Sequence, residues 1–173
     1  GAAYRFCVGI PAPGEARPLA PEEARWIVTP KATYLWGEDD GHYGSQFAVY
    51  GFLEDQLGVR WIAPGERGTV YEPRKTLTLT AGSHNWAPTL EGRSIRSGAR
   101  VGQHPQRKEY VDEFWGFARS PEEHDQYALD ARQWQLHMRM GSHVSLSYGH
   151  AFTDWWKKYG QTHPEYFALN RWG

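Results

Sequence analysis

The sequence predicts an α/β protein, with a complete small α/β domain followed by the opening elements of a second domain. Three observations lead to this prediction: an alternating apolar segment at the start, a well-marked helix near residue 50, and a new strand and helix pattern beginning near residue 90. At 173 residues the chain has room for one small domain plus part of another. We assign residues 1–83 to the first domain and residues 84–173 to the second.

The first domain is predicted to consist of strands around one helix. Residues 4–10 alternate between apolar and other side chains, which is typical of a half-buried strand, and residues 32–36 are predicted to form a second strand. A short helical turn is expected after Pro21. The best-marked helix is predicted to begin at the N-cap Ser45 and to end at Gly58, where a left-handed residue belongs.

Three short strands are predicted to complete this domain, at residues 59–62, 69–71 and 77–80. A polar linker is then expected around residues 83–85. The predicted core is formed by the inward positions of these elements. Those positions are Phe6, Val8, Leu35, Val49, Phe52, Leu53, Leu57, Val59 and Trp61.

The second domain is predicted to open with a strand at residues 90–95. A long helix is expected over residues 121–140, with Ser120 as its N-cap, acidic residues in its first turn and Gly141 closing it. A second short strand at residues 144–147 and a helix at residues 155–159 follow.

Charge and composition make several classes of partner unexpected. The net charge of -1 provides no field that would gather phosphates, so a nucleic-acid partner is not expected. No stretch reaches the roughly 18 apolar residues that a membrane span needs. The single cysteine, Cys7, cannot form an internal disulfide. Aromatic residues make up 15% of the chain, and their flat rings suit sugar stacking and core packing alike.

Two stretches carry a more specific signal. The first is YGSQFAVYGFLEDQLGVRWIAPGERG at residues 43–68, which resembles the segment that links the N-terminal domain of several barrel glycosidases to their catalytic domain. The second combines WQLHMRMG, GHAF and HPEYFAL, at residues 134–141, 149–152 and 163–169. With the P-x-x-x-x-R strand at residues 88–93 between them, these motifs resemble glycoside hydrolase family 163 and the broad bacterial family around it.

The resemblance implies a fold, an activity and a location. It implies a small hexosaminidase-type N-terminal α/β domain followed by a TIM-type barrel, and a retaining hydrolase acting on N-acetylglucosamine-containing glycans such as N-glycans. A bacterial secreted or periplasmic protein without a cofactor is expected. A (β/α)₈ barrel takes about 250 residues, so only its first βα units fit here. We expect the missing barrel portion, or a neighbouring chain, to complete it.

Three residues are predicted to bind substrate, and two of them are Arg93 and His150. Arg93, with Arg96 as a weaker candidate, lies on or just after the first predicted barrel strand, where a guanidinium can hydrogen-bond to sugar hydroxyls. A structural ion pair within the barrel wall is the alternative. His150 follows the second predicted strand and suits a hydrogen bond to a sugar near neutral pH, or the anchoring of a loop.

Glu165 is the third predicted substrate-binding residue, because a histidine, His163, lies close to it in the motif HPEYFAL. Pro164 favours a different interpretation, a shaped turn with Tyr166 and Phe167 packed inward. Glycoside hydrolysis usually needs two carboxyl groups flanking the scissile bond. Neither predicted barrel strand ends in such a pair, so the catalytic residues are unknown and are expected beyond residue 173.

No metal site is expected. The spacing of His137 and His143 matches no standard zinc pattern. The acidic loop at residues 38–40 has carboxylates for calcium, but its flanking glycines favour a tight turn.

Exposed aromatic residues are expected in the second domain, since two barrel strands alone leave an uncovered apolar face. Trp134 is predicted to pack in a core, although it is also among the tryptophans expected to be partly exposed without the missing partner. The others are Trp115, Trp155 and Trp156. The alternative to an enzyme is a non-catalytic glycan-binding or structural module that supports a partner chain.

Overall fold

The computed structural model describes residues 3–95, 120–142 and 154–168. It contains mixed helices and strands, which confirms the α/β class. In chain order the elements are β1 (Arg5–Val8), β2 (Ala24–Val28), β3 (Ala32–Gly37), α1 (Gly44–Leu57), β4 (Arg60–Trp61), a 3₁₀ turn (Glu66–Gly68), β5 (Thr69–Val70), β6 (Gly82–Trp86), β7 (Gly92–Arg93), α2 (Pro121–His137), β8 (Gly141–Ser142), α3 (Trp155–Tyr159) and a second 3₁₀ turn (Pro164–Tyr166).

A four-stranded sheet in the order β1-β3-β2-β6 is the centre of the first part of the chain. Strand β1 runs parallel to β3, whereas β2 is antiparallel to both of its neighbours. Helix α1 packs on one face of β2 and β3. The result is a two-layer α/β arrangement, in which α1 is the helix packed on the sheet.

Two of the four strands were not predicted. The helical turn expected after Pro21 is wrong, because a turn covers only residues 21–22 and the chain then enters β2, whose residues alternate between buried and half-buried. The linker expected around residues 83–85 is also wrong, since these residues lie in β6 and pair with β2. An edge strand tolerates polar residues, and His84 stacks flat on Trp26 with ring centroids 5.4 Å apart. The strand expected at residues 77–80 has no regular structure.

Helix α1 matches its prediction at the C-terminal end and differs at the N-terminal end. Gly58 closes it with a φ of 70°, the left-handed conformation that glycine adopts at little cost. The N-cap position belongs to Tyr43 rather than Ser45. The Ser45 hydroxyl instead accepts the Gly37 N–H at 3.1 Å and donates to Asp39 at 2.6 Å, so it ties the helix start to the preceding loop.

The core lies between α1 and the two central strands, and it is formed by Ala24, Trp26, Val28, Leu35, Phe47, Ala48 and Phe52. Leu35, Phe52 and Trp61 are buried, which confirms their prediction as core residues. The predictions for Phe6 and Val8 are wrong, because both are 55% exposed on the edge strand β1. Close packing requires Gly51, since a Cβ there would lie 2.5 Å from the Trp26 ring.

Helix α2 begins as predicted and ends earlier. The Ser120 hydroxyl accepts the Glu123 N–H at 3.2 Å, and a proline follows it at the first helical position. The helix ends at His137 instead of residue 140, and Arg139, with a φ of 52°, turns the chain into β8. Gly141 therefore begins a strand rather than closing the helix.

Strands β7 and β8 form a separate antiparallel pair, with Gly92 opposite Ser142. Neighbouring strands of a TIM-type barrel are parallel, so this pair differs from the arrangement expected for the strand at residues 90–95. The other predicted barrel strand, at residues 144–147, lies outside the described residues.

Helix α3 is confirmed where it was predicted. Trp155 and Trp156 are 39% and 64% exposed on it, as expected for this part of the chain, whereas Trp134 is half-buried. Trp115 lies outside the described residues. In the described ranges, no helix has both the length and the apolar character that crossing a bilayer would require.

Phe47→Ala should reduce the free energy of unfolding by about 3–5 kcal/mol, because the ring is fully buried and its loss leaves a cavity. Leu53→Ala, at a half-buried position on the same helix, should cost less than about 2 kcal/mol. Urea unfolding followed by circular dichroism measures both values. A larger loss for Leu53→Ala than for Phe47→Ala would contradict the described orientation of α1.

Candidate functional site

Two ion pairs lie beside one indole ring, and they connect the chain before β2 to β7 and helix α1 to the turn after α2. We call them the junction cluster: Glu22, Glu54, Trp86, Arg93 and Arg139. Arg93 Nη2 lies 3.0 Å from Glu22 Oε1, and Arg139 Nη1 lies 2.6 Å from Glu54 Oε2. The two guanidinium carbons are 5.6 and 5.4 Å from the centroid of the Trp86 ring. Cations at this range are attracted by the face of an indole, which adds to the ion pairs.

Arg93, predicted to bind substrate, has a protein partner for each of its three nitrogens. Its Nε donates to the carbonyl oxygen of Arg139 at 3.1 Å, its Nη1 to that of Leu90 at 2.7 Å, and its Nη2 to Glu22. Its side chain is 16% exposed. This arrangement matches the alternative of a structural ion pair. The carboxylate partner, Glu22, lies at the end of the first sheet instead of in a barrel wall. A contact between Arg93 and a sugar stays a prediction.

Glu22 is a site residue that the sequence reasoning missed. Its side chain is 2% exposed, and a carboxylate buried to this extent is costly unless it is paired and hydrogen-bonded. Arg93 supplies the charge, and Gly141 permits the close approach, because a Cβ there would stand 2.2 Å from Glu22 Oε1. The only sequence signal is an acidic pair directly before an alternating apolar segment.

Backbone strain coincides with the charges of the junction cluster. Among the described residues, the non-glycine positions with positive φ are Glu22 at 59° and Arg139 at 52°. Such conformations cost of order 1–3 kcal/mol each and persist where the surrounding structure determines them, often at functional sites. Both strained residues carry a charge of the junction cluster. This coincidence is our reason for treating it as a candidate functional region.

The acidic loop at residues 38–40 uses its carboxylates for hydrogen bonds to nearby backbone groups. Glu38 accepts the N–H of Asp40 at 2.7 Å and of Glu22 at 3.2 Å, and it also contacts His42. Burial alone would raise the pKa of Glu38, but these hydrogen bonds outweigh it and hold the pKa below its ordinary value of 4.5. No group of three potential metal ligands occurs in the described part of the chain.

The two segments that carry the family resemblance contact each other. Trp134 of the second segment donates its indole N–H to the Trp61 carbonyl oxygen of the first at 2.9 Å. One turn later, His137 stacks on Trp61 with ring centroids 4.6 Å apart and meets the edge of Tyr50 at 4.7 Å. Burial lowers the pKa of His137, which favours a neutral imidazole. The half-buried Trp134 therefore packs against β4.

Glu165 lies in an exposed local turn. Its Oε1 is 3.0 Å from His163 Nδ1, and its side chain is 63% exposed. His163 stacks on Tyr166 with the ring centroids 4.6 Å apart. The shaped turn favoured by Pro164 is present, but the inward packing expected of Tyr166 is wrong, since this ring is 55% exposed. Phe167 is half-buried against Trp156.

The structure does not bring the predicted substrate-binding residues together in the part that it describes. Arg93 and Glu165 have no side-chain contact with each other there. His150, Arg96 and His143 lie outside the described residues, so their predicted roles stay predictions.

The fold and the junction cluster define a two-layer α/β protein in which a buried ion pair joins the end of the sheet to β7. Comparisons with protein-family models, curated proteins and solved structures found no significant match to this chain.

Arg93→Met should reduce the free energy of unfolding by about 3–5 kcal/mol, because it removes the charged partner of a buried carboxylate. The double variant with Glu22→Gln should lose less than the sum of the two single variants, since the remaining group is then neutral. Chemical unfolding of all three proteins gives the coupling energy. Arg74→Met is the matched control, because the Arg74 pair with Glu72 is exposed and should contribute under about 1 kcal/mol. Additive losses would contradict the ion pair.

Glu38→Gln should destabilise the protein most near neutral pH and least in acid. The folded-state pKa of Glu38 is lowered, so its contribution is fully present above the ordinary value of 4.5 and is lost as the pH falls through the folded value. Unfolding free energies at pH 6.5 and at about pH 3 measure this difference. Glu72→Gln, at an 86% exposed side chain, is the control. A constant loss across this range would contradict the hydrogen-bonded carboxylate.

Proposed function

We propose that this chain is the front part of a retaining glycoside hydrolase that acts on N-acetylglucosamine-containing glycans such as N-glycans. In this proposal the chain up to the end of β6 at Trp86 forms an accessory α/β domain, and the rest opens a (β/α)₈ barrel in an exported bacterial protein. The observation that carries the proposal is the contact between the two segments with the family resemblance. Trp61 and Trp134, 73 positions apart, are joined by one indole hydrogen bond.

The contacts of helix α2 and of the turn after it support this proposal, because an accessory domain must hold the first helix of a catalytic domain in a fixed position. Helix α2 is tied to the first domain at Trp61 through Trp134 and at Tyr50 through Gln133. Beyond the helix, the Arg139–Glu54 pair adds a further connection. Several independent contacts of this kind limit relative movement, and enzymes require reacting groups to be positioned within a fraction of an ångström.

Neither Glu165 nor Glu22 has the surroundings of a catalytic acid. A catalytic acid needs a raised pKa, which burial in an apolar environment provides, whereas Glu165 is largely exposed beside His163. Glu22 is buried, but it is paired with Arg93. We therefore propose that the acid is supplied by barrel strands after residue 173. The second catalytic carboxylate comes from the same region in this proposal. It either attacks the sugar directly or orients the acetamido group of the substrate.

The barrel part of the proposal requires a change to the predicted strands. The pair β7–β8 is antiparallel and is held by Arg93 against Glu22 at the end of the first sheet. We therefore assign this pair to the junction between the two domains instead of the barrel wall. The barrel would then use other segments for its parallel strands.

A non-catalytic module is the second candidate function. The observation that favours it is that all three nitrogens of Arg93 already bind protein oxygens. In that case the junction cluster would fix the shape of a structural or glycan-binding module, and a partner chain would supply any chemistry.

Hydrolysis should require the longer protein. We expect the full-length product of the natural gene to release N-acetylglucosamine from N-glycans or from a chromogenic β-N-acetylglucosaminide, and residues 1–173 alone to show no turnover, because catalytic groups of a barrel come from several strands. Liquid chromatography of the released sugar measures both proteins. An inactive full-length protein that still binds glycans would favour the second candidate. Turnover by the short chain that is abolished in Glu165→Gln would make Glu165 the acid and contradict the proposal.

A further inference from the structure

A small cavity lies between helix α2 and the chain around β4 and β5. Its volume is about 200 Å³, and none of its lining residues belongs to the junction cluster. Sites for drug-sized ligands occupy roughly 300–1,000 Å³, so this cavity has room for one small ring. The lining residues that matter for recognition are Glu66, Thr69, Asp130, Gln133, Trp134 and His137.

The amide of Gln133 is oriented by two hydrogen bonds. Its Nε2 donates to Tyr50 Oη at 2.9 Å and to His137 Nε2 at 3.1 Å, which uses both amide hydrogens. Its Oε1 has no donor among the residues that the structure describes. Because His137 accepts at Nε2, its neutral imidazole carries the hydrogen on Nδ1. Burial lowers the pKa of His137 and so favours this neutral form. The residues that line the cavity therefore include an acceptor, Gln133 Oε1, and a donor, His137 Nδ1.

Two carboxylates add further acceptors. Asp130 Oδ1 accepts from Gln126 at 2.8 Å, whereas Asp130 Oδ2 has no partner in the described ranges. This second oxygen lies close to the backbone of Gly65, at 3.0 Å from where a Cβ would stand. The side chain of Glu66 likewise makes no hydrogen bond or ion pair within the described structure, and its backbone carbonyl accepts the Thr69 N–H. Among the described residues that line the cavity there is no lysine or arginine, so an anionic ligand would meet the negative charge of these two carboxylates.

Trp134 provides a fixed aromatic surface. Its indole N–H is held by the Trp61 carbonyl oxygen at 2.9 Å, which restrains the ring. An aromatic face suits the C–H face of a sugar ring. Sugar hydroxyl groups both donate and accept hydrogen bonds, so they match a wall with several acceptors and a histidine donor. An ammonium group only donates, and it would leave that donor without a partner.

We propose that this cavity binds one neutral sugar residue, whose hydroxyl groups donate to Asp130 and Gln133 while its ring lies against Trp134. The proposal rests on the proposed function for the identity of the sugar, N-acetylglucosamine, and it names a sugar-binding position within this chain. The sequence predicts core packing for Trp134 and no metal site at His137, whereas the structure places both residues in the cavity wall.

Titration of the 173-residue chain with N-acetylglucosamine tests the proposal. The indole N–H signal of Trp134 in ¹H–¹⁵N spectra, assigned by its loss in Trp134→Phe, should shift in a saturable manner. Asp130→Asn should weaken binding about tenfold, because a hydrogen bond to a charged acceptor is lost. Ala63→Leu, which fills the cavity from its opposite wall, should abolish binding. Asp154→Asn should bind normally, since this exposed residue makes no side-chain cap bond.

Two results would overturn the sugar site. The first is an absence of saturable shifts, or equal binding by wild type, Asp130→Asn and Ala63→Leu with folding verified by circular dichroism. The second is tighter binding of butylammonium chloride than of the sugar, which would indicate a cation site. Hydrolysis by the full-length protein without binding in this cavity would overturn only the present inference. A full-length protein could also bind the sugar, lose affinity in both variants and show no hydrolase activity. That result would support the sugar site in the cavity and contradict the proposed hydrolase function.

Discussion

The buried ion pair between Glu22 and Arg93 is the interaction on which the arrangement of the described segments depends. A carboxylate that is 2% exposed must have a charged partner, and this partner comes from a position 71 residues away. The pairing brings β7 to the end of the first sheet. It also fixes Gly141, since only a residue without a side chain fits beside the carboxylate. The antiparallel pair β7–β8 and the turn after α2 follow from these two constraints, so the requirement for charge compensation determines the path of the chain here.

Local signals predicted the helices better than the strands. The cap residues Ser120 and Gly58 act within one helical turn, so their effect can be recognised from neighbouring residues alone. Strand β6 could not be recognised in this way, because its polar residues are stabilised by pairing with β2 and by the stacking of His84 on Trp26. The exposure of Phe6 and Val8 has a related cause. Their alternation is that of a strand, but a place at the sheet edge is decided by strand order.

The candidate sites were only partly predictable for a similar reason. Arg93 was identified from its position after an expected strand, yet its role depends on Glu22, which local patterning had placed in a helical turn. The contact between Trp61 and Trp134 joins segments that were each singled out, although nothing in the sequence indicated that they meet. The cavity beside Trp134 needed the tertiary structure, because its walls come from a hairpin and a helix that are distant in sequence. Local pattern predicts side-chain chemistry, while long-range pairing decides which groups share a site.

The left-handed backbone at Glu22 and Arg139 restricts how this protein can be altered by evolution or engineering. Replacing a residue of positive φ by glycine removes the steric conflict, because glycine adopts positive φ readily. At these two positions the same replacement removes a side chain that carries one half of an ion pair. The backbone conformation therefore favours glycine at these positions, whereas the ion pairs require a charged side chain. A design that relaxes the backbone here has to introduce a new connection between the sheet and the helix elsewhere.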